Sequence, residues 1–353
     1  MRLFSHFVSH MQTELFPGLE EDFGELPLQV VQLVKVLEIV RIDDGVAPPV
    51  IGLAGRPAMD RRPIARALVA KAVLGHCSTR ALLLDLKCNV LLRKICGWSH
   101  VADLPGESTF SRAFADFAGS DLGQRIHEGL VKQVFEGRLV GHLLRDSTAV
   151  ETLERPPSRK KGEKRKKAKP TKRLEKQLSG MTLEKMIADL PTERAWGAKR
   201  NSRGHNYFWM GYKAHVDWSD CGIPISCILT SANVHDSQVA IPLATMSATR
   251  VVSLYDVMDS AYDSKLIRQH SRELGHVPIT DIVRRGKADQ RPPRAPHEEQ
   301  RFRLRTTAER GFGRLKESFG ARSVRVRGAS KVMAHLMFGI LALTAYQILD
   351  LAG

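Results

Sequence analysis

Residues 139 to 316 alternate strand-like runs with helical runs, and this alternation restricts the possible fold more than any other feature. Apolar strand patterns occur in RLVGHLLRDSTAVE, YFWMGYKAHVDW, GIPISCILTSAN and VVSLYDVMDSAYD, and SDCG between the second and third is typical of a hairpin turn. Helical patterns follow over residues 237–249 and 264–274, and a short strand, VPITDIV, precedes a last basic helix. This order predicts a mixed α/β sheet covered by helices.

The part of the chain before this region has a helical pattern instead. Residues 61–117 carry apolar residues at three- and four-residue spacing with Arg and Lys between them, as in PIARALVAKAVLG and TRALLLDLKCNVLLRKICGW. Pro105 and Gly106 predict a turn, after which Ser108 or Thr109 is expected to cap the next helix. Short basic helices joined by tight turns are typical of a helix-turn-helix-like DNA-binding module, although an ordinary helical bundle gives the same pattern.

The domain organisation follows from these two patterns. We predict an N-terminal segment over residues 1–60, a helical, helix-turn-helix-like DNA-binding region over 61–136, and an α/β domain over 137–351. The α/β domain contains a basic insertion loop over 154–176, because twelve Lys or Arg residues stand there against three Glu, with no aromatic residue.

The charge of the chain predicts a polyanionic partner. Its 353 residues include 54 Lys and Arg against 38 Asp and Glu, a net charge of +16, and such an excess is typical of proteins that bind nucleic acid or an acidic membrane surface. The basic loop is interpreted either as a phosphate-contacting segment or as a solubilising linker. Its candidate DNA-binding residues are Lys160, Lys161, Arg165, Lys166 and Lys167.

Cysteine usage and hydropathy indicate a soluble protein of a reducing compartment. The five cysteines form no CxxC pair or Cys/His cluster, so neither a disulfide framework nor a structural zinc site is expected. The N-terminus has polar interruptions where a signal peptide needs an apolar core. One long apolar run, residues 332–351, is interrupted by His335, Gln347 and Asp350, and we interpret it as a buried core helix rather than a membrane span.

Three acidic residues stand where acids contribute little to packing. Asp146 and Asp259 each follow an apolar strand, and Glu309 lies on the last basic helix. Taken singly, a strand-ending Asp is usually a turn or cap residue, and a helical Glu is usually solvated. If the three converge at one edge of the sheet, they repel one another unless divalent cations neutralise them, and oxygen ligands favour Mg²⁺ or Mn²⁺.

The helix that carries Glu309 has an unusual polar face. In FRLRTTAERGFGRLK, the side chains of Phe302, Arg305, Glu309 and Lys316 lie within about a 60° arc at 100° per residue. If this helix face served only to stabilise the helix, it would carry an apolar stripe or i,i+4 ion pairs. The spacing therefore indicates a functional carboxylate with two cations beside it.

These motifs resemble those of bacterial insertion-sequence DDE transposases of the group four/five superfamily. The last helix resembles the signature Y-x2-R-x3-E-x6-K, with Phe302 in place of Tyr. LLRDSTAVE is similar to the first-aspartate strand of that family, and YDVMDSAYDS is similar to the block that holds its second aspartate. The segments GYKAHVDWSDCGIPISCILTSANVHDS and LLRKICGW followed by LPGESTFSRAF resemble the family as well, so the likeness spans roughly residues 60–350.

The resemblance implies a fold, an activity and a set of site residues. It implies an RNase H-like mixed sheet flanked by helices, preceded by the all-helical DNA-binding region, that cuts DNA at transposon ends and joins the 3′-hydroxyl to a target. Asp146, Asp259 and Glu309 are then the catalytic residues and the ligands of two Mg²⁺ (or Mn²⁺) ions. Arg305 and Lys316 hold DNA phosphates, for which a guanidinium fork and a point charge are suited, and Phe302 occupies the position of the signature Tyr.

The implied partners are the DNA of the transposon ends and of the target, and a second copy of the chain in a synaptic homodimer. No membrane and no small-molecule substrate is implied, and a cytoplasmic, nucleoid-associated location is expected. Two other functions remain open from the residues: a catalytically inactive or domesticated DNA-binding relative, and a generic basic RNA-binding protein, for which aromatic platform motifs are missing.

Several neighbouring residues compete with the predicted site residues. Asp256 and Asp263 flank Asp259 closely enough for a register error. A further set in the second predicted strand and in the ANVHDS segment has structural roles as its simpler interpretation, against metal, DNA or base contacts: Trp209, Asn233, His235 and Asp236.

Overall fold

The structure is a computed structural model of the chain, and it describes residues 24–49, 59–154, 170–200, 204–281, 294–322 and 324–352. The chain divides into two compact units. The first unit combines residues 1–130 with 314–326 and 330–353, so it takes segments from both ends of the chain. The second unit holds residues 131–313 and 327–329.

The first unit is helical, as the spacing of apolar residues predicts. On α2 and α3 the residues four apart, Ile64 with Leu68 and Leu82 with Leu86, are buried and form one apolar side of each helix. Two short 3₁₀ turns accompany the helices, at Ile42–Gly45 and Val101–Asp103. The helices are α1 Leu28–Val40, α2 Arg62–Val73, α3 Thr79–Cys88, α4 Val90–Cys96, α5 Glu107–Gly119 and α6 Leu122–Val134, the last of which continues into the second unit.

Asn89 divides the stretch TRALLLDLKCNVLLRKICGW into two helices. Its backbone is extended, and its N–H closes α3 by donating to the carbonyl of Asp85 at 2.7 Å. Its side-chain oxygen accepts from the N–H of Leu92 at 3.0 Å and so begins α4. An Asn side chain competes with the helical hydrogen bonds of the backbone, and this is why the apolar pattern alone does not show the break.

The predicted cap of α5 is wrong. The N-cap residue is Gly106, and the helix begins at Glu107, ahead of Ser108 and Thr109. A carboxylate in the first turn interacts favourably with the positive end of the helix dipole, so Glu107 supports this earlier start.

The last helix, α13 (Ala329–Ala352), is part of the helical unit. It is long and apolar enough to cross a membrane, but 72% of its most apolar window is buried within the protein. At Gly339 the helix approaches the backbone so closely that a Cβ atom would lie 2.5 Å from the carbonyl oxygen of Phe319. Ser330 also donates a hydrogen bond to the carbonyl of Ala118 at 3.0 Å. This packing agrees with the predicted core helix.

The described residues of the second unit form a six-stranded mixed sheet in the order β2-β3-β1-β5-β6, with β4 also paired to β3. The central strand β1 is antiparallel to β3 and parallel to β5, and β5 is parallel to β6. This arrangement confirms the predicted α/β class and fits the RNase H-like fold. The strands are β1 Leu139–Glu151, β2 Ala195–Arg200, β3 Asn206–Ser219, β4 Pro224–Ser231, β5 Val252–Met258 and β6 Val277–Thr280.

The first strand extends beyond the predicted end. The apolar pattern predicts an end at Asp146, whereas β1 continues to Glu151 because β3 supplies hydrogen-bonding partners along this length. Asp146 pairs with Val216, so the carboxylate projects from the middle of a strand and not from a turn. A strand position fixes the backbone on both sides of this residue.

Helices cover the sheet and complete the apolar core of the second unit. One cluster brings together Leu174, Met186 and Ile241 from three helices with Met258 and Tyr262 next to the end of β5. The covering helices are α7 Pro170–Leu178, α8 Leu183–Ala188, α9 Ser237–Ala248, α10 Lys265–Glu273, α11 Pro296–Phe302 and α12 Thr306–Glu317, the last of which ends in the first unit.

The segment from Phe302 to Lys316 is not one continuous helix. Helix α11 ends at Phe302, a 3₁₀ turn spans Arg303–Arg305, and α12 begins at Thr306. A 3₁₀ turn has three residues per turn, so residues three apart lie directly above one another. The guanidinium carbon of Arg305 accordingly lies 5.3 Å from the ring centroid of Phe302.

Helix α12 packs tightly on β3 through a glycine. A Cβ atom at Gly311 would lie 2.5 Å from the ring of Trp218, which is fully buried. The next residue, Phe312, meets the same ring edge-on with centroids 5.1 Å apart. Gly313, two residues further on, meets nothing within 4 Å. Only the first glycine is therefore required by packing.

These two glycines give a matched pair of substitutions. We expect Gly311→Ala to destabilise the protein by about 1–3 kcal/mol, because the Trp218 ring must move and this overpacking exceeds the gain in helix propensity. Gly313→Ala should instead stabilise it by up to about 1 kcal/mol. Urea unfolding followed by circular dichroism measures both, and a Gly311→Ala variant as stable as the wild type would contradict the close packing of α12 on β3.

Candidate active site

Two aspartates lie side by side on the central pair of parallel strands. In the register of β1 and β5, Arg145 pairs with Met258. The next residue on each strand is an acid, Asp146 on β1 and Asp259 immediately after β5. Because parallel strands run in step, this register places the two carboxylates on neighbouring strands at the same level.

Both carboxylates share one cationic neighbour. Oδ1 of Asp146 accepts the N–H of Ser147 at 2.8 Å, and Oδ1 of Asp259 accepts the N–H of Ala261 at 2.9 Å. The second oxygens point to Arg305, whose Nη2 lies 3.8 Å from Oδ2 of Asp146 and 4.0 Å from Oδ2 of Asp259. The structure thus assembles two of the three predicted acids and one predicted cation.

Phe302 supports this arginine through its ring face. The guanidinium carbon of Arg294 lies 3.8 Å from the Phe302 centroid, and that of Arg305 lies 5.3 Å from it. Arg294 is itself fixed by Asp281 at 2.8 Å and by Glu299 at 2.9 Å. A cation–π contact uses the ring and not a hydroxyl, so Phe fulfils this role at the position where the resembled signature has Tyr.

Burial disfavours the ionised form of both Asp146 and Asp259. It raises the pKa of Asp146 to about 6, although the hydrogen bond from Ser147 and the charge of Arg305 oppose the shift. Burial likewise raises the pKa of Asp259, and the nearby charge of Asp236 adds to the rise. A pair of partly desolvated carboxylates close to each other favours a bound cation, because the cation removes the repulsion between them.

The competing acids have partners of their own. Asp256 is fully buried, and it accepts a hydrogen bond from Ser271 at 2.6 Å and contacts His276 at 3.2 Å. Burial opposes its charge, but these bonds and a nearby arginine hold the pKa of Asp256 below its usual value. Asp263 forms an ion pair with Arg268. Both acids are therefore paired with neighbouring side chains outside the Asp146–Asp259 pair.

Asp236 forms a second charged cluster near the aspartate pair. Its Oδ1 accepts from Nζ of Lys213 at 2.8 Å and lies 3.8 Å from Nδ1 of His215. Burial raises the pKa of Asp236, but these two neighbours outweigh it and hold the pKa below the usual value. Sequence reasoning missed Lys213 as a site residue, because a lysine within a strand pattern gives no signal of a distant carboxylate.

The remaining residues of this region have structural contacts. Nδ1 of His235 accepts the N–H of Ser237 at 3.3 Å and so shapes the turn before α9, while Asn233 is exposed. Trp209 is 4% exposed, and its Nε1 donates to the carbonyl of Tyr212 at 2.9 Å. Trp209 therefore packs within the sheet and does not present its ring to a ligand.

The structure does not place Glu309 with the two aspartates. Its side chain is exposed on the first turn of α12, one helical turn beyond Arg305, and forms no hydrogen bond or ion pair with the described residues. Within these same residues no group of three or more acidic, His or Cys side chains is close enough to hold a metal ion. Lys316 lies in the last turn of α12. Five predicted residues of the basic loop lie outside the described residues: Lys160, Lys161, Arg165, Lys166 and Lys167.

Comparison with known families decides what this site belongs to. Residues 141–345, more than half of the chain, match the family described as "Transposase DDE domain". The chain belongs to the DDE transposase family. Residues 24–116 match a second family, described as "Transposase domain (DUF772)", and no curated protein matches the chain. The two matches confirm the resemblance to insertion-sequence DDE transposases, and Asp146, Asp259, Arg305 and Glu309 of this transposase lie within the first matched segment.

The aspartate pair of this transposase fits a divalent cation. DDE transposases generally use divalent metal ions, and carboxylate oxygens are the donors that Mg²⁺ and Mn²⁺ prefer. The position of Arg305 supports the fit, because Oδ2 of Asp146 and Oδ2 of Asp259 both face one positive group. The residues that would hold a metal ion are therefore these two aspartates, with a further ligand to be supplied from elsewhere.

The raised pKa of Asp146 gives a test that needs no DNA. A folded-state pKa near 6, above the ordinary value of 3.8, means that the charged carboxylate costs stability above about pH 6 and costs none below about pH 4. We expect Asp146→Asn to be more stable than the wild type by about 1–3 kcal/mol at pH 8, with the difference lost at pH 4. Thermal unfolding across this pH range measures it.

Metal addition and a control variant sharpen this test. Mn²⁺ should raise the melting temperature of the wild type at pH 8 and leave that of Asp146→Asn nearly unchanged, because the variant lacks a carboxylate ligand. Glu317→Gln removes a carboxylate that is 68% exposed, and this variant should respond to pH and to Mn²⁺ as the wild type does. Equal responses of all three proteins to pH and Mn²⁺ would contradict the interpretation of Asp146.

Proposed function

We propose that this transposase cuts DNA at the terminal inverted repeats of an insertion sequence and joins the released 3′-hydroxyl to target DNA. The observation that carries the proposal is the pairing of Asp146 and Asp259 around one cationic group inside the matched transposase domain. Both steps are in-line phosphoryl transfers, in which water or the 3′-hydroxyl attacks phosphorus and a 3′-oxygen leaves.

The proposed ligands of two Mg²⁺ or Mn²⁺ ions are Asp146, Asp259 and Glu309. Such ions supply activation of the attacking oxygen and stabilisation of the leaving oxygen. The two strands hold the aspartates rigidly, whereas Glu309 sits on the exposed side of α12. We propose that Glu309 joins the two aspartates when DNA and metal ions are bound, because a third carboxylate is then no longer repelled.

Arg305 and Lys316 are the proposed phosphate ligands. Arg305, held on the ring of Phe302, offers a planar guanidinium to a DNA phosphate, and Lys316 offers a point charge further along α12. When a phosphate replaces the two aspartates as its partner, Arg305 leaves them free for metal ions. The basic loop of residues 154–176 is proposed to contact DNA outside the catalytic centre.

The helical region is proposed to recognise the transposon ends. Its short basic helices and the net charge of +16 suit a DNA-binding surface. Joining two ends to one target requires both ends in one complex, so a homodimer is the proposed active form. A cytoplasmic, nucleoid-associated location follows from action on chromosomal DNA.

Strand cleavage at the element's own ends tests this function. Purified protein, incubated with DNA carrying the inverted repeats that flank its gene and with Mg²⁺, should release products cut at the repeat ends. Glu309→Gln should lower the cleavage rate by about two orders of magnitude or more, because a metal ligand is lost, while DNA affinity stays near that of the wild type. Gel analysis of end-labelled DNA measures both.

Helix α12 offers a matched control. Glu317→Gln makes the same chemical change on the last turn of the same helix, where the side chain is 68% exposed and pairs with Arg322. This variant should cleave as the wild type does. Wild-type protein that binds the repeats but cuts none of them in Mg²⁺ or Mn²⁺ would instead identify a catalytically inactive, DNA-binding relative.

A further inference from the structure

Three aromatic side chains are exposed on one hairpin of the transposase domain. Trp196 on β2 is 56% exposed, and Tyr207 and Phe208 on β3 are 45% and 60% exposed. They are the aromatic members of the large exposed hydrophobic residues that the structure describes. Successive residues of a strand point to opposite faces, so Trp196 and Phe208 lie on one face of the hairpin and Tyr207 lies on the other. Each exposed ring leaves a large apolar area in water, which a ligand can cover.

The ring of Tyr207 is held in place by a buried neighbour. Tyr207 and Trp209 are stacked, with centroids 5.9 Å apart and an angle of 18° between their planes. Trp209 is fixed by its hydrogen bond to the carbonyl of Tyr212 at 2.9 Å and by Gly197, where a Cβ atom would lie 2.3 Å from the indole. The partly exposed Tyr207 ring is thus backed by the almost fully buried Trp209 ring. The stack is formed by the protein alone and needs no ligand.

Positive charge accompanies this stack. Lys199 is the cross-strand partner of Tyr207 in the register of β2 and β3. Residues that lie directly opposite each other on two strands point to the same face of the sheet, so the exposed Lys199 side chain lies on the face that carries the Tyr207 ring. A base stacked on Tyr207 therefore has an ammonium group within reach of its phosphate.

We infer that Tyr207, backed by Trp209, is a stacking site for an unpaired DNA base, and that Lys199 binds the phosphate of that nucleotide. Single-stranded nucleic acid is commonly held by aromatic rings beside positive charge, and every base offers a flat face for stacking. This inference deepens the proposed function by naming how a strand end is held.

Two labelled DNA molecules of one arbitrary sequence test the inference: a plain duplex, and the same duplex ending in a short unpaired arm. Wild-type protein should bind the armed DNA more tightly in fluorescence anisotropy, by about fivefold or more, as one base–aromatic stack provides. Tyr207→Leu, which keeps apolar bulk but removes the ring, should abolish this preference and leave duplex affinity unchanged. Tyr207→Phe should retain the preference.

A control variant and a spectroscopic reading complete the test. Leu139→Ala removes an exposed apolar side chain at the first residue of β1 and should retain the preference. With 2-aminopurine in the arm, its fluorescence should be more strongly quenched by the wild type than by Tyr207→Leu. The quenching also shows stacking in the wild type alone, so the test stands even when a variant fails to fold.

The outcomes separate this inference from the proposed function. Equal binding of the two DNA molecules by the wild type overturns the stacking site, even when cleavage at the repeat ends succeeds. An arm preference without cleavage retains the stacking site and refutes the enzymatic proposal. If Tyr207→Leu converts a dimer to a monomer in sedimentation and keeps the arm preference, the exposed Tyr207 ring is a contact between copies of the chain, and the inference is wrong.

Discussion

The buried ion pair between Arg145 and Asp217 is the interaction on which the geometry of the site depends. Two N–H···O bonds of 2.8 Å join the side chains, both of which are almost fully excluded from water. Ser247 of α9 donates to the same carboxylate at 2.7 Å, and Nη1 of Arg145 contacts the sulfur of Met258 at 3.4 Å. Because a buried charge without its partner costs several kcal/mol, the strands β1, β3 and β5 and the helix α9 are held together in one arrangement. Asp146 follows Arg145 directly, and the second acid follows Met258, so this ion pair fixes both carboxylates.

The negative charges of Asp146 and Asp259 are partly balanced by Arg305. Burial raises the pKa of Asp146 and of Asp259, and one guanidinium close to both of them partly offsets that cost. The proposed function requires each of these three groups to exchange its partner: the arginine for a DNA phosphate, and the aspartates for metal ions. Under that proposal phosphate binding and metal binding are linked, because the same displacement serves both. Asp146 lies on a strand, whereas Arg305 lies on the 3₁₀ turn Arg303–Arg305 and Glu309 on the exposed face of α12.

The sequence predicts the fold class and the aspartate pair, because apolar periodicity and the acids that follow apolar strands are local features. It does not predict what depends on distant partners. Strand β2, Ala195–Arg200, is rich in Ala, Gly and charged residues and exists because β3 pairs with it. The same holds for the length of β1 beyond Asp146, which β3 determines. Among the aromatic residues of the hairpin, the sequence offers Trp209 as a candidate for base stacking, but only the three-dimensional packing shows that it is buried and that Tyr207 is exposed.

The most direct test of the account is a crystal structure of the transposase with terminal-repeat DNA and Mn²⁺, with anomalous data collected at the manganese edge. The account predicts an anomalous peak bound by Asp146 and Asp259 at about 2.1 Å from their oxygens, with Glu309 as a further ligand and Arg305 moved onto a DNA phosphate. A DNA complex without a manganese peak at the two aspartates, in which Arg305 still lies between them, would contradict the central claim that this pair is the metal site of a DDE transposase.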